Sequence, residues 1–313
     1  MTRRVAVLGA TGTIGRAVVA ELTARGEAVV PVVRPGREAT LPGARTADVT
    51  DAAALTALFA AERIDAVVCC LASRTGVPAE AAAIDRDAAI GAIRAAEAAG
   101  VGTFVLLSAL CVQKPRLAFQ RAKLAAEAAL QASALDWTIV RPTAFFKSLS
   151  GQVERVRAGK PFPVFGDGRL TATKPVSDPD LAAFIADCLG NPERRHRILP
   201  IGGPGPARTP REQGEALFRL AGRPPRFTSV PPQLLSGIAA GLGATARLVP
   251  AMAAKAELAR IGHYYATESM LVLTPHGYDA AATPETGSDT LDQHFAGLLA
   301  GTAADDRGTH AVF

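Results

Sequence analysis

The segment Gly9-Ala10-Thr11-Gly12-Thr13-Ile14-Gly15 constrains this chain more than any other feature. It follows a short apolar run, Arg4 to Leu8, and opens a stretch with helical spacing, Ile14 to Arg25, that Gly26 is placed to end. Glycines between a buried strand and a helix let the backbone turn tightly and come close to a ligand. The free N–H groups and the positive end of the helix dipole then favour a negative group there. A tight turn without a ligand is the alternative, and the spacing of all three glycines argues against it. Gly9, Thr11, Gly12, Thr13, Ile14 and Gly15 are therefore expected to cradle the pyrophosphate of a dinucleotide.

A strand and helix of this kind imply a parallel sheet with crossover helices, and the next stretch of chain continues the alternation. Strands are expected at Val29 to Val33, Ala44 to Ala47, Ile64 to Leu71, Thr103 to Ser108 and Trp137 to Val140, with helices at Ala52 to Ala61, Ala83 to Ala99 and Arg116 to Ala132. After Pro142 the pattern loosens into loops rich in Gly and Pro. Sheet-like runs return at Thr173 to Val176 and Ile198 to Ile201, around a helix from Pro179 to Leu189. Further helices follow near Arg211 to Leu220 and Leu234 to Leu242, and a strand-like Ser269 to Leu273. The fold class is α/β, a Rossmann-type doubly wound parallel sheet. Residues 1–205 are expected to form the dinucleotide-binding domain, and 206–313 a smaller C-terminal region that binds substrate.

Composition agrees with a compact chain. With 49% hydrophobic and 20% charged residues, the 313-residue sequence is neither disordered nor fibrous. Its 34 basic residues exceed its 29 acidic ones by 5 but are scattered, which gives no basic stripe for nucleic acid. Cys69, Cys70, Cys111 and Cys188 lack metal-site or redox spacing, so no protein metal site is expected and buried thiols of a reducing cytosol are. The glycines interrupt the apolar N-terminus, so no signal peptide is read there. Leu234 to Ala254 is apolar, but Gly237, Gly241, Gly243, Arg247 and Pro250 interrupt it, so it falls short of the roughly 20 apolar residues that a span needs. A cytoplasmic protein, able to lie against a membrane or to cover a greasy ligand there, is the expectation.

The choice of cofactor turns on the end of the second strand. Enzymes using NAD place an acid there, whereas Val33-Arg34-Pro35-Gly36-Arg37 offers two cations. A guanidinium fork suits a 2′-phosphate, so the expectation is NADPH held by Arg34, with Arg37 either helping or serving as an ordinary loop charge. Asp48, after the third strand, is placed to accept from the adenine amino group or to cap a helix.

In the short-chain dehydrogenase superfamily, a Ser after the fifth strand and a Tyr-x-x-x-Lys pair on the next helix handle the proton of an alcohol or carbonyl. Ser108 fits the first, but the pair reads Phe119-Gln120-Arg121-Ala122-Lys123. The phenol is missing. Lys123 shares a helix face with Phe119 and is expected to hold the nicotinamide ribose. Without the phenol, carbonyl reduction lacks its general acid, and reduction of an activated carbon–carbon double bond becomes the more attractive chemistry. A surface lysine is the bland alternative.

Longer stretches then carry a resemblance. Leu107-Ser108-Ala109-Leu110-Cys111-Val112-Gln113-Lys114-Pro115, Val140-Arg141-Pro142-Thr143-Ala144-Phe145-Phe146-Lys147-Ser148-Leu149, Phe165-Gly166-Asp167-Gly168-Arg169-Leu170-Thr171 and Arg260-Ile261-Gly262-His263-Tyr264-Tyr265-Ala266-Thr267-Glu268 resemble the NADPH-dependent divinyl chlorophyllide 8-vinyl reductases, within the NmrA-like short-chain group. The likeness runs through nearly the whole chain, and Phe119 agrees with it. It implies reduction of the 8-vinyl group of a magnesium divinyl chlorophyllide, or its protochlorophyllide relative, to ethyl in chlorophyll and bacteriochlorophyll synthesis.

On that resemblance Lys123 and Ser108 are the expected catalytic residues, and Arg141, Phe145, Phe146, Lys147, His263 and Tyr264 the expected substrate contacts. Arg141 and Lys147 would meet a propionate and His263 the pigment magnesium, though each also suits an ordinary structural role. Lys123, Tyr264, Tyr265, Cys111 and water all stay open as proton source. Two rival readings are a non-catalytic, redox-sensing NADP-binding regulator and another double-bond reductase of the superfamily.

Overall fold

The computed structural model describes residues 2–246, 249 and 252–302. In chain order the elements begin with β1 (Arg4–Leu8), α1 (Thr13–Ala24), β2 (Ala28–Val33), β3 (Arg45–Thr46), α2 (Ala52–Ala61), β4 (Ala66–Cys69), α3 (Pro78–Glu80), α4 (Ala89–Ala98), β5 (Thr103–Leu107), α5 (Ala118–Gln131) and β6 (Asp136–Pro142). They continue with α6 (Phe146–Leu149), α7 (Val153–Arg157), β7 (Phe162–Phe165), α8 (Asp178–Cys188), β8 (Arg197–Ile201), α9 (Pro210–Leu220), β9 (Phe227–Val230), α10 (Gln233–Thr245), α11 (Met252–Thr267), β10 (Val272–Thr274), β11 (Gly277–Asp279) and α12 (Leu291–Ala300).

Two compact units emerge. The first comprises residues 1–73, 78–142 and 178–200, and the second 74–77, 143–177 and 201–313. This differs from a single cut at 205: the stretch 143–177 packs with the C-terminal unit, while the helix and strand after it return to the first.

The first unit is built on a seven-stranded sheet in the order β3-β2-β1-β4-β5-β6-β8. β1 pairs in parallel with β2 on one side and β4 on the other, so strand order reverses beside β1, where doubly wound sheets hold their ligands. Side chains alternate across the sheet. Ala6 and Leu8 of β1 join a core with Leu55 and Phe59 of α2, Ile93 of α4 and Leu130 of α5. Val5 and Val7, equally buried, face the opposite side, where α1 packs on α8. Phe59, Phe104 and Leu130 are sealed from water, each contributing about 1.5–3 kcal/mol.

Local chemistry sets the helix ends. Asp51 accepts from the amides of Ala53 and Ala54 and caps α2, so Asp48 is not that cap. The fully buried Gln120 accepts from the amides of Arg116 and Leu117 at 2.7 and 2.8 Å and donates to the Cys111 carbonyl, tying the start of α5 to the loop before it. The helix expected at Ala83 to Ala99 begins earlier, at Pro78, and passes through a π-helical stretch at residues 81–88 before α4. An alanine-rich sequence fits an α-turn and a π-turn alike, which is why the pattern gives no warning of it.

The second unit has its own core, in which Phe146, Val156, Phe162, Leu217, Phe218 and Phe295 meet. β7 and β9 pair in parallel, and β10 and β11 form an antiparallel hairpin. Thr173 to Val176, expected as sheet, makes only isolated bridges, to Arg208, Met270 and Phe145. The later strand begins at Val272 rather than Ser269. Buried Lys174 lies 2.7 Å from Glu285 and 3.3 Å from the Thr283 carbonyl, fastening this loop to the C-terminal segment.

Two glycines separate strain from crowding. A Cβ on Gly203 would stand 1.8 Å from the Pro175 carbonyl oxygen, while one on Gly26 would meet nothing within 4 Å despite its φ of +79°. Gly203→Ala is therefore expected to cost on the order of 3 kcal/mol or more, through overpacking against backbone. Gly26→Ala should cost about 1 kcal/mol, the left-handed penalty alone. Urea unfolding monitored by circular dichroism measures both, and equal losses would show that the Gly203 contact relaxes freely.

Candidate active site

The glycine loop lies at the carboxyl end of β1, at the reversal in strand order. Gly9 has φ +73°, and an added Cβ would sit 2.6 Å from the Cys70 carbonyl oxygen. At Gly15 it would lie 2.1 Å from the Gly9 carbonyl oxygen, so α1 can approach the strand only with glycine there. At Gly12 it would meet only that same carbonyl oxygen, at 3.2 Å, with open space beyond. Gly12 serves as N-cap and has no side chain of its own to bond the first helical amides. Those amides point where an anion fits, and Arg16 braces the loop by donating to the Thr11 carbonyl at 3.1 Å. Ile14 and Gly15 are buried in α1, Thr13 is half-buried and Thr11 exposed. These features fit a dinucleotide pyrophosphate.

Arg34 and Arg37 bracket a turn beyond β2, closed by a bond from the Arg37 amide to the Arg34 carbonyl at 3.1 Å, and both side chains are exposed. Asp48 is also exposed; its carboxylate accepts from the Thr50 hydroxyl at 2.7 Å and the Thr50 amide at 2.9 Å. Those two bonds, the hydroxyl first, hold its pKa below the ordinary aspartate value, and the charge of Arg34 adds to them.

Helix α5 carries the centre of the site. Lys123, with its side chain only 12% exposed, lies 3.0 Å from Asp85 Oδ1 and 3.5 Å from the Leu71 carbonyl oxygen. The Asp85 contact is close but not aligned for a hydrogen bond, so it is an ion pair that leaves that carboxylate oxygen short of an acceptor bond. The other Asp85 oxygen accepts from the Ser73 amide at 3.2 Å. One turn further along α5, Glu127 is buried and points elsewhere: Ser108 Oγ donates to it, and Arg141 forks onto both its oxygens, with Nε at 3.0 Å. Asp85, Ser108 and Lys123 line a cavity of about 10 Å³ with Leu71, Ala89, Leu106, Leu107 and Ala126, close to the size of one water.

The expected residues thus fall into groups. Lys123, Ser108 and the glycine loop share the carboxyl edge of the first unit. Arg141 is there too, but its guanidinium is engaged by Glu127. Phe145, Phe146, Lys147, His263 and Tyr264 belong to the second unit. Phe146 lies in that unit's core, 5.4 Å from His294. Tyr264 is buried on α11 with its ring edge-on to Tyr265 at 5.7 Å, and His263 is half-buried beside it. Cys111 is buried. Burial pushes the thiol pKa of Cys69 up to about 11 and that of Cys70 further, so both are neutral thiols. Among the described residues no cluster of ligating side chains could hold a metal.

Sequence reasoning passed over Asp85 and Glu127. Glu127 left a signal: it stands four residues after Lys123, on a helix face otherwise filled by Ala122, Ala126 and Leu130. Asp85 sits in an alanine run whose register the π-turn shifts, and its spacing carries no signal of that kind.

Known proteins agree with this geometry. The chain matches the NAD(P)H-binding family over residues 9–192. It is similar in fold to the Bordetella bronchiseptica enzyme WbmG in complex with NAD, with TM-score 0.70 and 18% identity over 100% of this chain and 97% of that one. Divinyl chlorophyllide a 8-vinyl-reductase, chloroplastic, from Oryza sativa subsp. indica is 50% identical over 99% of this chain and 82% of its own length. The Zea mays protein of that name is 47% identical over the same shares. Identity at this level, over both units, makes this chain a member of the divinyl chlorophyllide a 8-vinyl-reductase family.

Proposed function

We propose that this protein reduces the 8-vinyl group of divinyl chlorophyllide, or of its protochlorophyllide relative, to ethyl with NADPH. The observation that carries this is half identity to the rice reductase over 99% of the chain, which continues past residue 192, where the match to the general NAD(P)H-binding family ends. NADPH, when bound, would supply the hydride. The residues do the rest. The amides at the start of α1 and the Gly12 opening take the pyrophosphate, and the turn from Arg34 to Arg37 supplies two cations and no acid to the adenosine ribose. Lys123 holds the nicotinamide ribose, and Asp48, already bonded to Thr50, is left with one carboxylate oxygen for the adenine.

Where carbonyl-reducing relatives of this superfamily keep a phenol, Phe119 offers no proton, and the only acid–base group one turn on is an ion-paired lysine. That suits reduction of a conjugated vinyl group, whose developing negative charge the macrocycle delocalises, better than reduction of a carbonyl. In the second unit Phe145, Lys147, His263 and Tyr264 are the proposed pigment contacts, with His263 nearest in chemistry to a magnesium ligand and Lys147 to a carboxylate partner. Among the described residues no helix is long and apolar enough to cross a membrane. Leu234 and Ile238, exposed on α10, support loose association of the protein with a lipid surface.

The direct test is chromatography of divinyl chlorophyllide incubated with the purified protein and either nicotinamide cofactor. The monovinyl pigment should form with NADPH and much more slowly with NADH. Cofactor binding with the vinyl group intact would reverse the assignment in favour of a regulator.

Arg34→Ser should lower kcat/KM for NADPH by roughly tenfold to a hundredfold, the worth of a charge-assisted hydrogen bond, while leaving the NADH value within about threefold. Equal losses with both cofactors would place the 2′-phosphate elsewhere. Glu127→Ala, which strands a half-buried guanidinium, should destabilise the fold by roughly 2–4 kcal/mol in denaturant titration. A loss below about 1 kcal/mol would mean that Arg141 re-pairs with solvent or with another acceptor of the protein.

A further inference from the structure

We propose that Asp85 is the positioning residue of Lys123, and that the π-helical stretch at residues 81–88 serves to deliver it. This rests on the reading of the first unit as an NADPH site and names a residue which that reading leaves idle.

A carboxylate with no exposed side-chain surface, set in a helix whose neighbouring buried positions are Ala81, Ala88 and Ala89, is a costly thing to keep. An apolar side chain would fill the same place without the desolvation penalty. What Asp85 gains there is contact with two parts of the site. One oxygen takes the Ser73 amide, in the loop after β4, and the other lies against the Lys123 ammonium. Both contacts depend on where the π-turn puts residue 85, since a π-turn rotates the residues beyond it relative to a regular helix, and such turns recur at functional sites.

The geometry at Lys123 shows what the contact accomplishes. An ammonium has three N–H groups on a four-carbon stem that ordinarily samples many rotamers. The ammonium lies 3.0 Å from Asp85 Oδ1 as an ion pair and donates to the Leu71 carbonyl, 3.5 Å away, which leaves N–H capacity for a ligand. Leu71 follows Cys70, whose carbonyl presses on Gly9 of the phosphate loop. The ammonium is therefore pinned above the same two-residue segment that seats the loop, and the ordering cost of the lysine is met before the cofactor arrives. Asp85 touches neither cofactor nor substrate in this scheme; it acts through Lys123.

The experiment is a double-mutant cycle read by NADPH fluorescence titration, with kcat and KM measured alongside. Lys123→Ala should raise the NADPH dissociation constant roughly tenfold or more, and Asp85→Asn, which keeps the shape and removes the charge, by roughly fivefold to tenfold. Asp85→Asn in the Lys123→Ala background should have almost no further effect. The pigment KM should stay within about twofold throughout, since a general loosening of the fold would move it too. Circular dichroism melting identifies any variant that fails to fold; Asp85→Glu, which retains the charge, then takes the place of Asp85→Asn and should bind within about threefold of wild type.

Wild-type affinity in Asp85→Asn, or an Asp85 effect undiminished without Lys123, would overturn the proposal while leaving the cofactor site intact. Failure of the wild-type protein itself to bind NADPH would overturn the cofactor reading, and this inference with it.

Discussion

The contact between the Gly15 position and the Gly9 carbonyl governs the carboxyl edge of the large sheet. At that separation no side chain can stand between α1 and the end of β1, so the helix starts almost on top of the strand. Its first amides then open directly onto the reversal in strand order. The same closeness recurs at Gly9, which lies against Cys70 of the neighbouring strand's loop. Two backbone approaches, each possible only without a Cβ, thus set where an anion can sit and how far the loop after β4 stands from it. The placing of Lys123 is downstream of both, because its second partner, the Leu71 carbonyl, is the next residue in that loop.

Helix α5 then divides the electrostatics. Lys123 and Glu127 stand one turn apart with opposite charges, the spacing at which helical residues ordinarily pair with each other. Here they do not. Each is drawn to a partner from a different element, the lysine to Asp85 and the glutamate to Ser108 and Arg141. The two buried carboxylates have different tasks. Glu127 is fully occupied by a hydroxyl and a bidentate guanidinium, which makes it a brace between α5, β5 and β6. Asp85 is under-bonded and faces a small cavity, and that is the more reactive environment. Ser108, in the position of the superfamily's catalytic serine, donates to the brace, so its role here is bound up with Glu127.

The parallel sheet was legible because its strands are fully buried and alternate with alanine-rich helices, so that period and composition point the same way. Strand ends fell within two residues of the observed ones from β1 to β6. The glycine loop and Lys123 were legible for a stronger reason: few residue types satisfy those positions, and their spacing is set by the backbone. Strands β7 and β9 were not legible. They are four residues long, they are flanked by Pro161, Pro225 and Pro231, and they pair with each other across more than sixty residues of chain. Asp85 and Glu127 were invisible for the same kind of reason, since what defines them is the partner that tertiary folding supplies. The substrate residues depended on family likeness alone, and the burial of Phe146 shows how readily an aromatic in a motif serves the core.

The discontinuous make-up of the two units bears on how the chain folds as it is synthesised. The first unit lacks its seventh strand, β8, until about residue 200 has left the ribosome, by which time residues 143–177 of the second unit have already emerged. The usual order, in which an N-terminal domain finishes before the next begins, is thereby closed to this protein. Its sheet must wait with β6 as an exposed edge, and an unpaired edge strand is a template for association with other chains. Strand β6 is mostly buried Trp, Thr, Ile and Val, residues well suited to such pairing. The delay between β6 and β8 is thus the interval in which the nascent chain most needs a chaperone.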